Sequence, residues 1–150
     1  MGALASRAQR EEVCERIDEI ARSSEIVYGS NKLFRGERLD GLRGAFMGPV
    51  LLYCDQPLAN REVHDVEAFG PVCTVVPYDN ASEALELARL GKGSLVSSVF
   101  TYDDRFAGEM VAGLGPWHGR ILLANRECAK ESTGHGSPLP NLIHGGPGRA

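Results

Sequence analysis

The second half of the chain alternates strand-length apolar runs with helical patterns, and this alternation limits the fold more than any other feature. Val72-Cys73-Thr74-Val75-Val76-Pro77-Tyr78 is a near-continuous apolar run, as is Pro49-Val50-Leu51-Leu52-Tyr53-Cys54 before it. Both predict strands buried on both faces. From Ser82 to Leu90, Ala84, Leu85, Leu87 and Ala88 follow a helical pattern that Gly91-Lys92-Gly93 stops, and the stretch from Leu95 to Thr101 then predicts a strand. Asp103 or Asp104 can cap a further helix running to Leu114. The cluster of Gly113, Gly115 and Pro116 ends it, and Arg120 to Asn125 makes a third strand. Such alternation predicts an α/β fold: a mostly parallel sheet with right-handed crossovers and flanking helices.

The first half is read from its caps and periodicity. Ser6-Arg7-Ala8-Gln9 fits a capping box, in which a hydroxyl and an amide satisfy free backbone donors at a helix start. A helix from Ala8 to Ser23 follows, with Val13, Ile17, Ile20 and Ala21 on one stripe and Arg10, Glu11, Glu15, Arg16, Asp18 and Glu19 left mostly for solvent. Glu25 to Gly29 is a short strand candidate, and Ser30 to Gly48, glycine-rich and without clear periodicity, predicts an excursion or hairpin. Residues 131–150 hold five glycines, three prolines and no apolar run of element length. The expected organisation is one partial α/β domain over 1–130 with a Gly/Pro-rich tail of the same domain over 131–150. A structureless segment this long is uncommon unless it is functional or supported from outside, and the ending Gly148-Arg149-Ala150 suggests truncation.

A chain of 150 residues can bury roughly two-thirds of its unfolded surface, so a core is feasible. A charged fraction of 24% and a net charge of −4 provide no electrostatic reason to expect nucleic acid or an anionic membrane. Small molecules or other subunits are the expected partners. Cys14, Cys54, Cys73 and Cys128 lie far apart, without C-x-x-C or zinc-ligand spacing, and read as reduced thiols with no metal site. The first residues hold no signal-peptide run and no stretch approaches the ~20 apolar residues of a membrane span, so the expected location is the cytoplasm.

Glu67-Ala68-Phe69-Gly70-Pro71-Val72 is, on residue chemistry alone, a tight turn feeding a strand, in which Gly allows close approach and Pro sets the entry angle. Its Glu and Phe admit two readings, a ligand-contacting pair or a solvated Glu beside a core Phe. Cys128, with Glu127, Glu131 and His135 close in sequence, admits an activated thiolate or an ordinary loop thiol. His64, His118, His135 and His144 read as turn or loop residues satisfying backbone groups. Gly91-Lys92-Gly93 is a helix stop, because no G-x-x-x-x-G-K-[ST] surrounds it.

The run from Glu67 to Val72 resembles the E-x-F-G-P-V signature of aldehyde dehydrogenases, and other blocks agree in order. Gly2-Ala3-Leu4-Ala5-Ser6 with Gln9 is similar to the family's Gly-Pro-Leu, Ser and Gln after the catalytic cysteine. Gly44 to Leu52 is similar to its Gly-Tyr-Phe-x-x-Pro-Thr-Val-Leu, and Val99-Phe100-Thr101-Tyr102-Asp103 to its Val-Phe-Thr-x-Asp. Glu131-Ser132-Thr133-Gly134-His135-Gly136-Ser137-Pro138-Leu139-Pro140, His144-Gly145-Gly146-Pro147-Gly148-Arg149 and His118-Gly119-Arg120 resemble a subgroup. It comprises the aldehyde dehydrogenase half of the bifunctional ring-opening protein of phenylacetate catabolism and the related semialdehyde dehydrogenase of benzoyl-coenzyme A breakdown. The resemblance implies that Glu67 binds the nicotinamide ribose of NADP or NAD and that Phe69 walls the nicotinamide. It also implies a small-molecule aldehyde substrate, a CoA-linked semialdehyde, and a homo-oligomeric parent enzyme.

In that family the nucleophilic cysteine sits in a Gly-Gln-x-Cys setting ahead of the first matched block, so Cys128 is not its counterpart. The catalytic cysteine, the glutamate base and the nucleotide-binding fold would lie upstream of this chain, and a final oligomerisation strand beyond it. The expectation is therefore a fragment with no catalytic residue of its own and no activity alone. Two other readings are a free-standing α/β binding or interaction domain that retains a nucleotide contact, and an autonomous Cys128 thiol enzyme.

Overall fold

The computed structural model describes residues 3–30 and 44–127, which fall into two compact units divided between Pro77 and Tyr78. The tail over 131–150, Cys128, His135, His144 and the centre of the 30–48 excursion lie outside the described residues.

The first unit contains α1 (Arg7–Ile20), β1 (Glu25–Tyr28), β2 (Val50–Tyr53), α2 (Glu62–Asp65) and β3 (Val72–Val75). Ser6 caps α1 from an extended conformation, its Oγ accepting from the Gln9 amide at 3.0 Å. The reciprocal bond of the box falls one residue earlier than expected, with Gln9 Oε1 accepting from the amide of Ala5 at 2.9 Å. The expected stripe is buried: Val13, Ile17 and Ile20 join Met47, Val50 and Leu52 in one core. The helix stops three residues short of Ser23. There the Ser23 amide and hydroxyl both turn back to the Ile20 carbonyl and close the end as a turn.

The sheet runs β1-β2-β3, with β1 antiparallel and β3 parallel to β2. Val27 is the extra residue of a bulge, since Ile26 pairs with Leu52 and Tyr28 with Leu51. At Gly29 the chain turns with φ +82°, and any Cβ there would collide with the carbonyl oxygen of Pro49. The expectation of strands buried on both faces is corrected at β3. It is an edge strand whose residues alternate, with Val72 half-buried, Cys73 exposed and Val75 44% exposed. Only the central β2 buries Val50 and Leu52.

The second unit contains α3 (Ala81–Leu90), β4 (Ser97–Phe100), α4 (Asp104–Leu114) and β5 (Ile121–Ala124). The two strands pair in parallel, Ser97 opposite Ile121 through Phe100 opposite Ala124. Asn80 caps α3, its Oδ1 accepting from the Glu83 amide at 3.1 Å while Glu83 Oε2 accepts from the Asp79 amide at 2.7 Å. Asp103, not Asp104, caps α4, its Oδ1 accepting from the amides of Arg105 and Phe106. Lys92 at φ +61° and Gly93 at φ +128° form the expected helix stop after α3. Gly113 lets α4 lie against α3: a Cβ there would sit 2.5 Å from Leu85 Cδ2, and the Arg89 guanidinium donates to the Gly113 carbonyl. Val99, Met110 and Leu114 form the core between these helices and the strands. The α/β class is as expected, with short parallel sheets and flanking helices, and the antiparallel β1 is the departure.

Candidate cofactor site

The E-x-F-G-P segment begins where α2 ends. Val66 is extended (φ −101°, ψ 119°), which sends successive side chains to opposite sides. Val66 and Ala68 pack on the core of the first unit, so Glu67 and Phe69 project away from it. Phe69 is 73% exposed, so its ring does not join the core of the first unit. An exposed carboxylate and an exposed aromatic ring two residues apart are thus presented by neighbours that are themselves anchored.

The loop is held from behind at several points. Gln9 Nε2 on α1 donates to the Phe69 carbonyl at 3.0 Å. Gly70 lies on Val13 so closely that an added Cβ would be 2.8 Å from Val13 Cγ1. The Pro71 carbonyl accepts from the Val50 amide at 2.9 Å, tying the loop exit to the central strand. Upstream, His64 Nε2 donates to the Pro57 carbonyl at 2.8 Å, and Ser23 Oγ meets Glu62 Oε2 at 3.0 Å, which fixes α2. His64 therefore satisfies a backbone group as expected, although from a short helix that periodicity did not reveal.

Elsewhere the described residues contain no group of three or more His, Cys, Asp or Glu able to hold a metal. Cys14, Cys54 and Cys73 are reduced thiols, outside any disulfide. Burial pushes the Cys14 thiol above its ordinary pKa of 9.0, with Arg10 opposing and Asp18 and Glu11 adding to the rise, so the unreactive protonated form is favoured. In the second unit, Ser97 Oγ bonds to His118 Nδ1 and His118 Nε2 donates to the Ala88 carbonyl, joining β4, the approach to β5 and α3. This pair borders a cleft of about 470 Å³ lined mainly by apolar side chains. No helix among the described residues is long and apolar enough to cross a membrane.

The expected pair, Glu67 and Phe69, is therefore brought to one exposed loop. Sequence reasoning missed Gln9: its place in the capping box was legible, but its second partner lies 60 residues away. The Ser97–His118 bond was likewise not foreseen.

Short parallel sheets with helices packed on them define an α/β fold of the kind that the strand–helix alternation predicted. The chain belongs to the aldehyde dehydrogenase family, whose model matches residues 1–121. It is 47% identical over 150 residues to Protein MaoC of Klebsiella aerogenes, covering 100% of this chain and 43% of that protein. It is 43% identical over 147 residues to the 3,4-dehydroadipyl-CoA semialdehyde dehydrogenase of Aromatoleum evansii, covering 98% of this chain and 28% of that protein. The chain thus spans less than half the length of these relatives. Among solved structures it is similar to betaine aldehyde dehydrogenase from Staphylococcus aureus in complex with NAD+ (TM-score 0.69, 28% identity, 82% of this chain and 23% of that one). It is also similar to lactaldehyde dehydrogenase from Escherichia coli (TM-score 0.68, 27% identity, 82% and 24%).

Proposed function

We propose that this chain is the carboxy-terminal part of the catalytic domain of an NAD(P)-dependent aldehyde dehydrogenase. The parent oxidises a CoA-linked semialdehyde of aromatic-acid catabolism to the carboxylic acid. The partial domain spans 1–130 and the tail 131–150 belongs to it. The observation that carries the reading is the outward projection of Glu67 and Phe69 from a loop whose alternate residues are sunk in the core.

The residues fit the cofactor. An exposed carboxylate accepts hydrogen bonds from sugar hydroxyls, and an exposed phenyl ring offers apolar area to a flat heterocycle. When bound, the nicotinamide supplies the hydride acceptor. Glu67 holds the ribose and so orients the ring, while Phe69 covers the ring and keeps water from it. The choice between NAD and NADP rests with groups around the adenosine ribose, and the subgroup resemblance favours NADP. The Cys14 thiol is held protonated and Cys54 is buried, so neither acts as the nucleophile, which the remainder of the parent enzyme supplies along with the base. A homo-oligomeric, cytoplasmic parent is part of the same reading, with neither nucleic acid nor membrane as partner.

The test uses the full-length enzyme containing this chain. Glu67→Ala should weaken cofactor binding by about tenfold to a hundredfold, the loss expected for hydrogen bonds to a charged group, and Phe69→Ala should weaken it by a similar order. The readout is the cofactor dissociation constant from titration of intrinsic fluorescence. Unchanged affinity in either variant would refute the reading. The 150-residue chain alone should show no aldehyde turnover with either cofactor.

A further inference from the structure

We infer that Gln9 is a positioning residue for the Glu67–Phe69 loop, holding it in its cofactor-binding shape through the main-chain carbonyl of Phe69. The inference rests on the cofactor role proposed for Glu67 and Phe69.

Gln9 occupies the third position of the capping box that opens α1. Its own amide is satisfied by Ser6 Oγ at 3.0 Å, and its Oε1 accepts from the Ala5 amide at 2.9 Å. This leaves Nε2 pointing to the other side, where it donates to the Phe69 carbonyl at 3.0 Å. The two partners fix the orientation of the amide, because the Ala5 N–H can only donate and the Phe69 carbonyl can only accept.

Capping accounts for only one of the two side-chain bonds, that from Ala5. A capping box needs an acceptor at this position, which Glu supplies as well as Gln, and the helix dipole favours the negative charge of Glu near an amino terminus. The first turn of α1 nevertheless contains no acidic residue. The property that Gln has and Glu lacks is the Nε2 donor, and that donor serves the loop.

The bond also acts at the point that matters for the loop. Holding the Phe69 carbonyl fixes the peptide plane between Phe69 and Gly70, and with it the direction in which the Phe69 ring leaves the backbone. Two residues earlier stands Glu67, separated from this point by core-anchored Ala68. On the far side, Gly70 is wedged against Val13, which lies one helical turn along α1 from Gln9. One face of α1 therefore sets the loop twice, with a donor at Gln9 and a steric stop at Val13.

The experiment compares Gln9→Glu, Ser6→Ala and Glu67→Ala in the full-length enzyme. It measures the cofactor dissociation constant, hydrogen exchange of peptides covering 66–72, and the thermal midpoint. Gln9→Glu keeps the acceptor for Ala5 and removes the donor to Phe69. It should leave the midpoint near that of the parent, speed exchange over 66–72 and weaken cofactor binding by about threefold to tenfold. Ser6→Ala, which removes the cap and not the tether, should lower the midpoint and leave affinity within about twofold. Added to a variant carrying both Glu67→Ala and Phe69→Ala, Gln9→Glu should weaken binding no further, because the tether acts through the two groups it positions. If Gln9→Glu binds cofactor like the parent while Glu67→Ala loses affinity, Gln9 is a helix cap only: the inference falls and the cofactor reading stands. If Glu67→Ala itself keeps full affinity, the cofactor reading fails and takes the positioning role with it, whatever the exchange rates show.

Discussion

Gly70→Ala tests the packing of the candidate site against the helix behind it. The new methyl would lie 2.8 Å from Val13 Cγ1 and 3.0 Å from Val13 Cγ2, both well inside contact distance. Val13 is 1% exposed and sits in a helix, where a β-branched side chain is confined almost to a single rotamer. It has nowhere to turn, so either α1 or the loop must shift. Overpacking of this kind costs about 1–3 kcal/mol, offset by about 0.4–1 kcal/mol from the lower entropy of the unfolded chain when Gly becomes Ala. The expected net loss is about 1–2 kcal/mol. Val13→Ala alone should cost about 2 kcal/mol, from two buried methyl groups at about 0.8 kcal/mol each plus a small cavity. In the double variant the methyl added at position 70 occupies the space that the two valine methyls vacate, so its cost should fall short of the sum of the two by at least about 1 kcal/mol. Urea unfolding of the four proteins measures the cycle. Additive costs, or a neutral Gly70→Ala, would show that the loop does not lie against Val13.

Further predictions concern the thiols and a helix cap. The Cys14 pKa is raised in the folded protein, chiefly by burial, so above about pH 9 the unfolded chain loses its proton first. The stability this thiol confers is therefore full below that pH and falls as pH rises through the folded pKa. Cys14→Ala should lessen the drop in urea midpoint between about pH 8 and about pH 10. Among Cys14, Cys54 and Cys73, a short alkylation pulse followed by peptide mass spectrometry should label the exposed Cys73 first. Cys54, fully buried and in contact with Asn60 Nδ2, should be labelled last. Asp103→Ala removes the acceptor for the Arg105 and Phe106 amides and should cost about 1 kcal/mol in urea unfolding, whereas Asp104→Ala should cost clearly less.

Local chemistry decided what the sequence alone could determine. The cap at Ser6, a cap at Asp103 or Asp104, the stop at Gly91 to Gly93 and the apolar runs of β2, β4 and β5 depend on partners within four residues or on a repeating period, so they are visible along the chain, although only the fold chose Asp103. The strand–helix alternation from Val72 to Asn125 carried the α/β class for the same reason, and the motif at Glu67 to Val72 carried the family resemblance. Periodicity did not show that β1 runs antiparallel with a bulge at Val27, nor that β3 lies at an edge with Cys73 exposed, because strand neighbours are chosen by the whole sheet. Four-residue α2 was too short for a periodic signal. Phe69 shows the division most plainly. Its residue type is compatible with a core, and only the packing of Val66 and Ala68 on the core of the first unit turns its ring outward. The tertiary fold alone brought Gln9 to its carbonyl, because a bond across 60 residues leaves no local period or spacing by which to find it.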